Sequence, residues 1–238
     1  MELKGKTAIV TGGAGNLGSV VTRRLLDEGA RVIVPWYKED NWLALLADLP
    51  DELSDHCEGR AADLTREEDV RSTIQAAVER FEGLDILLNL VGGFAFGKKV
   101  WETDEGLWDK MMEMNLKSAF LCCKHAVPHM IERGSGRIVN VTSKACVDVQ
   151  PGAAAYAVSK GGVITLTRAL REELKGTGVT VNAIMPGIID TPVTRELMPN
   201  ADTEKWASRG EIADALVAVC SDRLQGVSGS VLRLFGDL

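Results

Sequence analysis

Short apolar runs rich in β-branched residues recur along the chain: TAIV (7–10), RVIV (31–34), DILLNL (85–90), RIVNV (137–141), VTVNAI (179–184) and SVLRLF (230–235). The stretches between them bring apolar side chains back every three or four positions, as at Leu17, Val20, Val21 and Leu25, and again at Val70, Ile74 and Val78. Those two periods predict strands alternating with amphipathic helices. Strands and helices of these lengths form right-handed βαβ units, which build a parallel sheet covered on both faces. No Pro/Ser-rich linker, low-complexity tract or repeat interrupts the pattern. A single doubly wound α/β domain over 1–238 is therefore expected.

Composition narrows the partners. With 238 residues, 45% of them hydrophobic and 26% charged, the chain is long enough to bury a substantial core. Its 34 acidic against 27 basic residues leave a formal charge of −7. Nucleic-acid grooves and anionic membrane surfaces call for clustered Lys and Arg, so small molecules are the expected partners. Five cysteines (Cys57, Cys122, Cys123, Cys146, Cys220) form no C-x-x-C pair, and an odd number does not suggest a disulfide framework. A reducing cytoplasm is the expected compartment. The opening MELKGKTAIV lacks a hydrophobic signal region, and no run approaches the roughly 18 apolar residues of a membrane span.

In open α/β sheets ligands bind beyond the carboxyl ends of the strands, where the strand order reverses. The first strand runs into TGGAGNLGS (11–19) and then an amphipathic helix. Glycines there let the backbone turn tightly and approach a pyrophosphate, whose charge is favoured by the free N–H groups at the helix start. A purely structural turn is the alternative, and the flanking strand and helix favour the dinucleotide. Farther along, AAYAVSKGGVITLTRALREEL (154–174) sets Tyr156 and Lys160 four apart, on one helical face. Alone, such a pair reads as a packed ring beside a solvated lysine.

Together, TGGAGNLG, the N-x-x-G of NLVG (89–92), NVTS (140–143), YAVSK (156–160) and PGIIDT (186–191) resemble, in order and spacing, the motifs of the short-chain dehydrogenase/reductase family. The resemblance spans nearly the whole chain. It implies a Rossmann sheet of about seven strands, an NAD or NADP cofactor, and a catalytic group formed by Asn115, Ser143, Tyr156 and Lys160. It also implies cofactor contacts from Gly12, Gly15, Asn16, Leu17 and Gly18. Further contacts fall on Trp36 and Lys38 after the second strand, on Asp63 and Leu64, and on Asn89 and Gly92. Tyr156, Lys160, Pro186, Gly187, Ile189 and Thr191 complete the set.

Carbonyl reduction needs hydride at carbon and a proton at oxygen, so a general acid must stand within hydrogen-bond reach of that oxygen. Tyr156 fits that role. A free phenol has a pKa near 10; a lysine ammonium and an oxidised nicotinamide both favour the phenolate and lower it. Ser143 adds a second hydroxyl for the substrate oxygen. From the resemblance, Lys160 also holds the nicotinamide ribose and Asn115 supports a water-borne proton relay. The bland alternatives are a strand-end hydroxyl for Ser143 and a backbone-satisfied polar residue for Asn115.

Four positions depart from the family pattern. Asn16 stands where a glycine is usual, and Asn tolerates left-handed backbone better than most residues. Leu90 and Val91 replace a polar support. Trp36 stands where an acidic side chain accepts the ribose hydroxyls of NAD, while no Arg or Lys precedes Asn16 in the manner typical of NADP. Lys38 reads more readily as a solvated lysine than as a contact to a 2′-phosphate, and its reach tips the expectation only slightly to NADP. Asp63 resembles the adenine-contacting Asp, the alternative being an N-cap for the next helix.

Cys122, Cys123, His125 and His129 crowd one helix without an H-E-x-x-H pattern, and are read as structural, with no metal expected. Substrate walls are expected from 92–101, 145–152 and a lid at 191–206, including Phe94, Phe96, Val147, Met198 and Trp206. Small or medium ketones, aldehydes and secondary alcohols are the expected substrates. A 3-oxoacyl thioester reductase meeting an acidic carrier through Lys98 and Lys99 is the alternative enzyme. A non-catalytic dinucleotide-binding scaffold or redox sensor is the alternative of another class. Apolar helices at 116–131 and 154–174 predict a homodimer or homotetramer.

Overall fold

In the computed structural model, which describes residues 1–237, β1 (Thr7–Thr11) leads to α1 (Gly18–Asp27). Next, β2 (Arg31–Trp36) leads to α2 (Glu39–Asp48) and the single turn α3 (Asp51–Ser54), and β3 (Cys57–Ala61) to α4 (Glu67–Phe81). β4 (Ile86–Asn89) is followed by α5 (Glu105–Met112) and α6 (Ser118–Arg133), and β5 (Gly136–Val141) by α7 (Ala154–Glu173). β6 (Val179–Pro186) precedes α8 (Pro192–Leu197) and α9 (Arg209–Cys220), and β7 (Val231–Leu234) completes the sheet.

All seven strands are parallel, in the order β3-β2-β1-β4-β5-β6-β7. This is a Rossmann-type α/β fold. The order reverses between β1 and β4, which opens a crevice at their carboxyl ends. Strand alternation sorts the apolar residues between the two faces. Val10, Val32, Val34 and Ile184 pack with Val21, Leu25 and Leu216 on one side; Ile9, Ile33, Leu87 and Ile138 pack with Val70, Ile74 and Met130 on the other. Each such fully buried aliphatic side chain contributes roughly 1.5–3 kcal/mol of transfer free energy.

Six of the seven strands coincide with the apolar runs, shifted by at most two residues at either end. The seventh, β3, has the sequence CEGRA and carries no apolar run. It is an edge strand, paired only to β2, and its residues are half-buried or exposed. A side chain at Gly59 would run into the Trp42 indole of α2, so a glycine lets that ring lie flat on the strand.

On α6, Cys122 and Cys123 are core residues whose thiols burial pushes up. His125 of the same helix meets Glu67 of α4 at 3.0 Å. All five cysteines are free. Among the described residues no helix is long and apolar enough to cross a membrane.

Candidate active site

β1 delivers the chain into a turn that only glycines can make. Gly12 takes a left-handed backbone (φ 66°), and a Cβ at Gly18 would collide with the Gly12 carbonyl. Gly13, which the motif comparison left out, is equally confined: its Cβ would sit 2.8 Å from both Thr22 Oγ1 and the Val10 carbonyl. Thr22 Oγ1 of α1 donates to the Gly13 carbonyl at 3.0 Å and holds the turn against the helix. Asn16 is exposed and its backbone is not left-handed, so the turn does not require a glycine there. A second tie is Arg209 of α9, whose Nη1 donates to the Asn16 carbonyl at 3.2 Å.

The start of α1 has no capping side chain and no acidic residue in its first turn. Its leading N–H groups therefore suit an anion. A glycine cradle that a Cβ would fill, beside an uncapped helix start at the switch point, fits the pyrophosphate of a dinucleotide.

Across the crevice, Thr11 Oγ1 accepts from the amides of Leu90 (3.0 Å) and Val91 (3.2 Å). This hydroxyl supports the β4 end where the apolar Leu90 and Val91 offer no polar side chain. The chain then passes Gly92, where a Cβ would lie 2.8 Å from Asn115 Oδ1 and 2.9 Å from Lys160 Nζ. Glycine here lets three elements converge. Asn115 sits on a π-helical turn, Glu113–Lys117, between α5 and α6. Such bulges re-aim side chains and are frequent at functional sites. Its Oδ1 accepts from Gly93 N (2.8 Å), and its Nδ2 donates to Gly93 O (3.1 Å) and Ser159 Oγ (2.9 Å). The side chain is thus held by backbone and by a serine that the motif reading passed over.

Ser143 follows β5 directly and starts a short 3₁₀ turn, its Oγ accepting from Ala145 N at 3.2 Å. Tyr156 opens α7, and Lys160 lies one turn on, 5% exposed. The ammonium donates to the Val141 carbonyl at 2.9 Å, while the Lys160 carbonyl accepts from Thr142 Oγ1 at 2.7 Å. Burial raises the Tyr156 phenol above its ordinary pKa, and the adjacent Ser143 hydroxyl works against that rise. The four-residue spacing suggests that the lysine lowers the phenol; within this chain burial prevails, with the ammonium turned to the strand. Burial also pushes Lys160 itself down to about 8.

Several expected cofactor residues point elsewhere. The Asn89 side chain is turned into the fold, donating to Asn140 Oδ1 at 2.8 Å and to Cys123 Sγ at 3.5 Å, which makes it a tie between β4, β5 and α6. Leu64 belongs to the core. Only their backbones are free to face the crevice. Asp63 caps no helix: its Oδ1 accepts from the amide and hydroxyl of Thr65, and these bonds hold its carboxyl below the usual range. Trp36 ends β2 with a buried Nε1 that finds no partner among the described residues. Lys38 is exposed at the start of α2. At the end of β6, Gly187 N donates to Leu234 O and Ile189 bridges to Ala207. Thr191 caps α8 through Thr194.

Of the expected walls, Phe94, Phe96, Val147 and Met198 stand exposed at the mouth, whereas Trp206 is buried. Trp206 instead anchors the far end of 191–206, whose near end is held by Arg195 on Asp190 at 2.6 and 2.8 Å. The Phe235 ring, just past β7, lies under the Lys144 ammonium at 5.4 Å; as the last residue of the sixth apolar run it gave no sign in the sequence of this contact. A charged cleft of about 450 Å³ beneath α8, lined by Asp190, Arg195, Glu204 and Glu211, includes none of the candidate catalytic residues.

Comparison with known proteins agrees with this arrangement. A family profile described as short chain dehydrogenase matches residues 6–202. The 3-oxoacyl-acyl-carrier-protein reductase of Thermotoga maritima is 31% identical over 250 aligned positions, covering 100% of this chain and 99% of the relative. The 2-(R)-hydroxypropyl-CoM dehydrogenase of Xanthobacter autotrophicus is 30% identical over 251 positions, with 97% of each covered. An uncharacterized oxidoreductase of Staphylococcus aureus is 33% identical over 217 positions, with 90% of each covered.

The depressed Lys160 pKa has a thermodynamic consequence. An unfolded chain keeps this proton up to about 10.5, while the folded chain gives it up near 8. Between those values the unfolded state binds more protons, so this group makes stability rise with pH across the window. Urea unfolding of wild type and Lys160→Met should show the difference between them moving in favour of wild type by on the order of 3 kcal/mol from below pH 8 to about 10.5. A difference that stays flat with pH overturns the assignment.

Proposed function

The chain belongs to the short-chain dehydrogenase family, and from that premise we propose that it interconverts a carbonyl and a secondary alcohol with Tyr156 as general acid and base. It is an NAD(P)-dependent oxidoreductase, and no narrower substrate follows from its relatives. The observation that carries the proposal is the convergence on Gly92, where the Lys160 ammonium and the Asn115 amide flank one glycine at the switch point. A bound nicotinamide supplies or accepts the hydride.

The chain's own residues handle the oxygen. Ser143 donates a hydrogen bond to the carbonyl oxygen while its own oxygen is held by Ala145 N. Tyr156 gives its proton to that oxygen as the new C–H bond forms, leaving a phenolate that the Ser143 hydroxyl stabilises. In the alcohol direction the phenolate takes the proton back. Burial keeps the phenol protonated at neutral pH, which suits the reducing direction. Asn115, fixed to Gly93 and Ser159, lines the route by which Tyr156 is reprotonated.

For the cofactor, Trp36 offers no acceptor where the ribose diol of NAD would need one. Lys38 stands exposed two residues on. Both favour a 2′-phosphate, and NADP(H) is the preferred dinucleotide. The carrier-dependent alternative finds less support: Lys98 is held by Asp104 at 2.8 Å. A scaffold without turnover leaves the joint placement of Ser143, Tyr156 and Lys160 without a purpose. Phe120 and Ile131 on α6 and Val158 on α7 leave large apolar side chains exposed, and pairing of these helices across a two-fold axis would cover them.

Three measurements follow. Tyr156→Phe should fold and bind dinucleotide as wild type does but lose about a hundred- to ten-thousand-fold in turnover on any carbonyl that wild type accepts; near-normal turnover refutes the mechanism. In fluorescence titrations NADPH should bind more tightly than NADH, and Lys38→Ala should weaken NADPH by roughly tenfold while sparing NADH. Equal losses would remove Lys38 from the phosphate site. Light scattering at micromolar concentration should return a multiple of the 25.7 kDa chain mass; a monomer throughout refutes the pairing.

A further inference from the structure

An aromatic arc leads outward from the catalytic phenol. The Phe94 ring meets Tyr156 edge-on, with centroids 5.1 Å apart and planes at 85°. Phe96 continues the arc, nearly parallel to Phe94 (10°) with centroids 6.2 Å apart. Both phenylalanines are 59% exposed. Two exposed rings in succession beside a reacting hydroxyl are costly to hydrate, and they call for an apolar occupant.

The arc is built rather than loose. Gly97 N donates to Gly152 O at 3.1 Å, fastening the segment after β4 to the one before α7. Both glycines take left-handed backbone (φ 105° and 86°), and a Cβ at Gly152 would stand 3.0 Å from Gly97 N. That clasp fixes the ring-bearing loop beside the segment carrying Val147 and Val149, which are also exposed.

Charge at the mouth is largely matched. Lys98 pairs with Asp104 at 2.8 Å, Lys144 with Asp148 at 3.6 Å and Arg195 with Asp190 at 2.6 Å. Lys99 lies over the Trp101 ring at 5.3 Å. An anionic substrate would have to break one of these contacts to gain a partner. A long flexible chain must give up rotamer freedom to lie against these exposed rings. A flat rigid ring loses little freedom and stacks well on exposed aromatic faces.

We propose that the substrate is an uncharged carbonyl compound or secondary alcohol bearing an aryl group next to the reacting carbon, with that ring resting on Phe94 and Phe96. The proposal rests on the hydride-transfer reading of the same site. In the reducing direction hydride from the dinucleotide forms the C–H bond, the Tyr156 proton forms the O–H bond, and the dinucleotide leaves oxidised.

Two measurements separate the substrate class from the chemistry. With reduced dinucleotide, kcat/KM for acetophenone should exceed that for cyclohexyl methyl ketone, its saturated counterpart, by about tenfold. Benzoylformate, an anionic aryl ketone, should be turned over less well than acetophenone. Phe96→Leu should bring the two neutral ketones within about twofold of each other by lowering only the aryl value. Equal values in wild type, an aryl advantage that survives Phe96→Leu, or a preference for benzoylformate overturns the proposal while leaving hydride transfer intact. If no carbonyl is turned over, the catalytic reading fails, and saturation-transfer NMR still decides the aryl site. Wild type loaded with oxidised dinucleotide should then saturate 1-phenylethanol more strongly than 1-cyclohexylethanol, and Phe96→Leu should abolish the difference. No preference there overturns the proposal on its own.

Discussion

Four buried hydrogen bonds tie α7 to the rest of the fold, and the direction of the candidate catalytic side chains depends on them. Lys160 Nζ reaches the Val141 carbonyl, Thr142 Oγ1 reaches the Lys160 carbonyl, Asn140 Nδ2 reaches Thr167 Oγ1, and Asn115 Nδ2 reaches Ser159 Oγ. Apolar packing alone tolerates sliding of a helix along a sheet. Directional bonds between buried groups do not, because each unmade bond leaves a desolvated donor or acceptor costing about 1–3 kcal/mol. A shift of α7 by one residue would break all four. Polar bonds of this kind act on position as much as on stability.

The same chain of contacts extends to the cofactor side. Asn89 on β4 bonds to Asn140 on β5, so the strand that borders the crevice and the helix that bears Tyr156 share one buried polar line. At the crevice itself the site works with backbone rather than net charge. A chain of charge −7 is a poor electrostatic host for an anionic dinucleotide. Uncapped N–H groups at the start of α1, together with glycines that bring backbone close, supply local positive potential without basic side chains. Arg209 adds a cation from α9, bonded to the turn at Asn16.

Much of this was readable from the sequence, for identifiable reasons. Five strands announce themselves because both faces of a central parallel strand are buried, which forces continuous apolar runs, and the edge strand β7 is legible because VLRL is still mostly apolar. β3 escapes because an edge strand with half-buried faces can be CEGRA. Tyr156 and Lys160 were readable because helical spacing puts them on one face and YAVSK stands in register with the other motifs. Ser159, Thr11 and Thr167 were not, since a hydroxyl becomes significant only through a partner distant in sequence, as Thr11 does at Leu90 and Val91. Asn89 and Leu64 lie in motifs near the crevice, yet their side chains turn into the core. Trp206 borders the mouth in sequence and anchors its base in space.

Chemistry and specificity are thereby housed in different materials. The groups proposed to handle the proton, Ser143 after β5 and Tyr156 on α7, sit beside Lys160, whose ammonium is bonded to the end of β5. The apolar surface beyond them sits on loops 94–101 and 145–152, held by a glycine-to-glycine backbone bond and touching the machinery through the edge of Phe94 on Tyr156. Residues in those loops are free to change without disturbing the α7 ties, because none of the four bonds involves them. That separation explains how relatives near 30% identity over their full length carry names as different as a 3-oxoacyl-acyl-carrier-protein reductase and a 2-(R)-hydroxypropyl-CoM dehydrogenase. On the proposed reading, the substrate of this chain is to be sought at Phe94, Phe96 and their clasp, and not in the motifs that identify its chemistry.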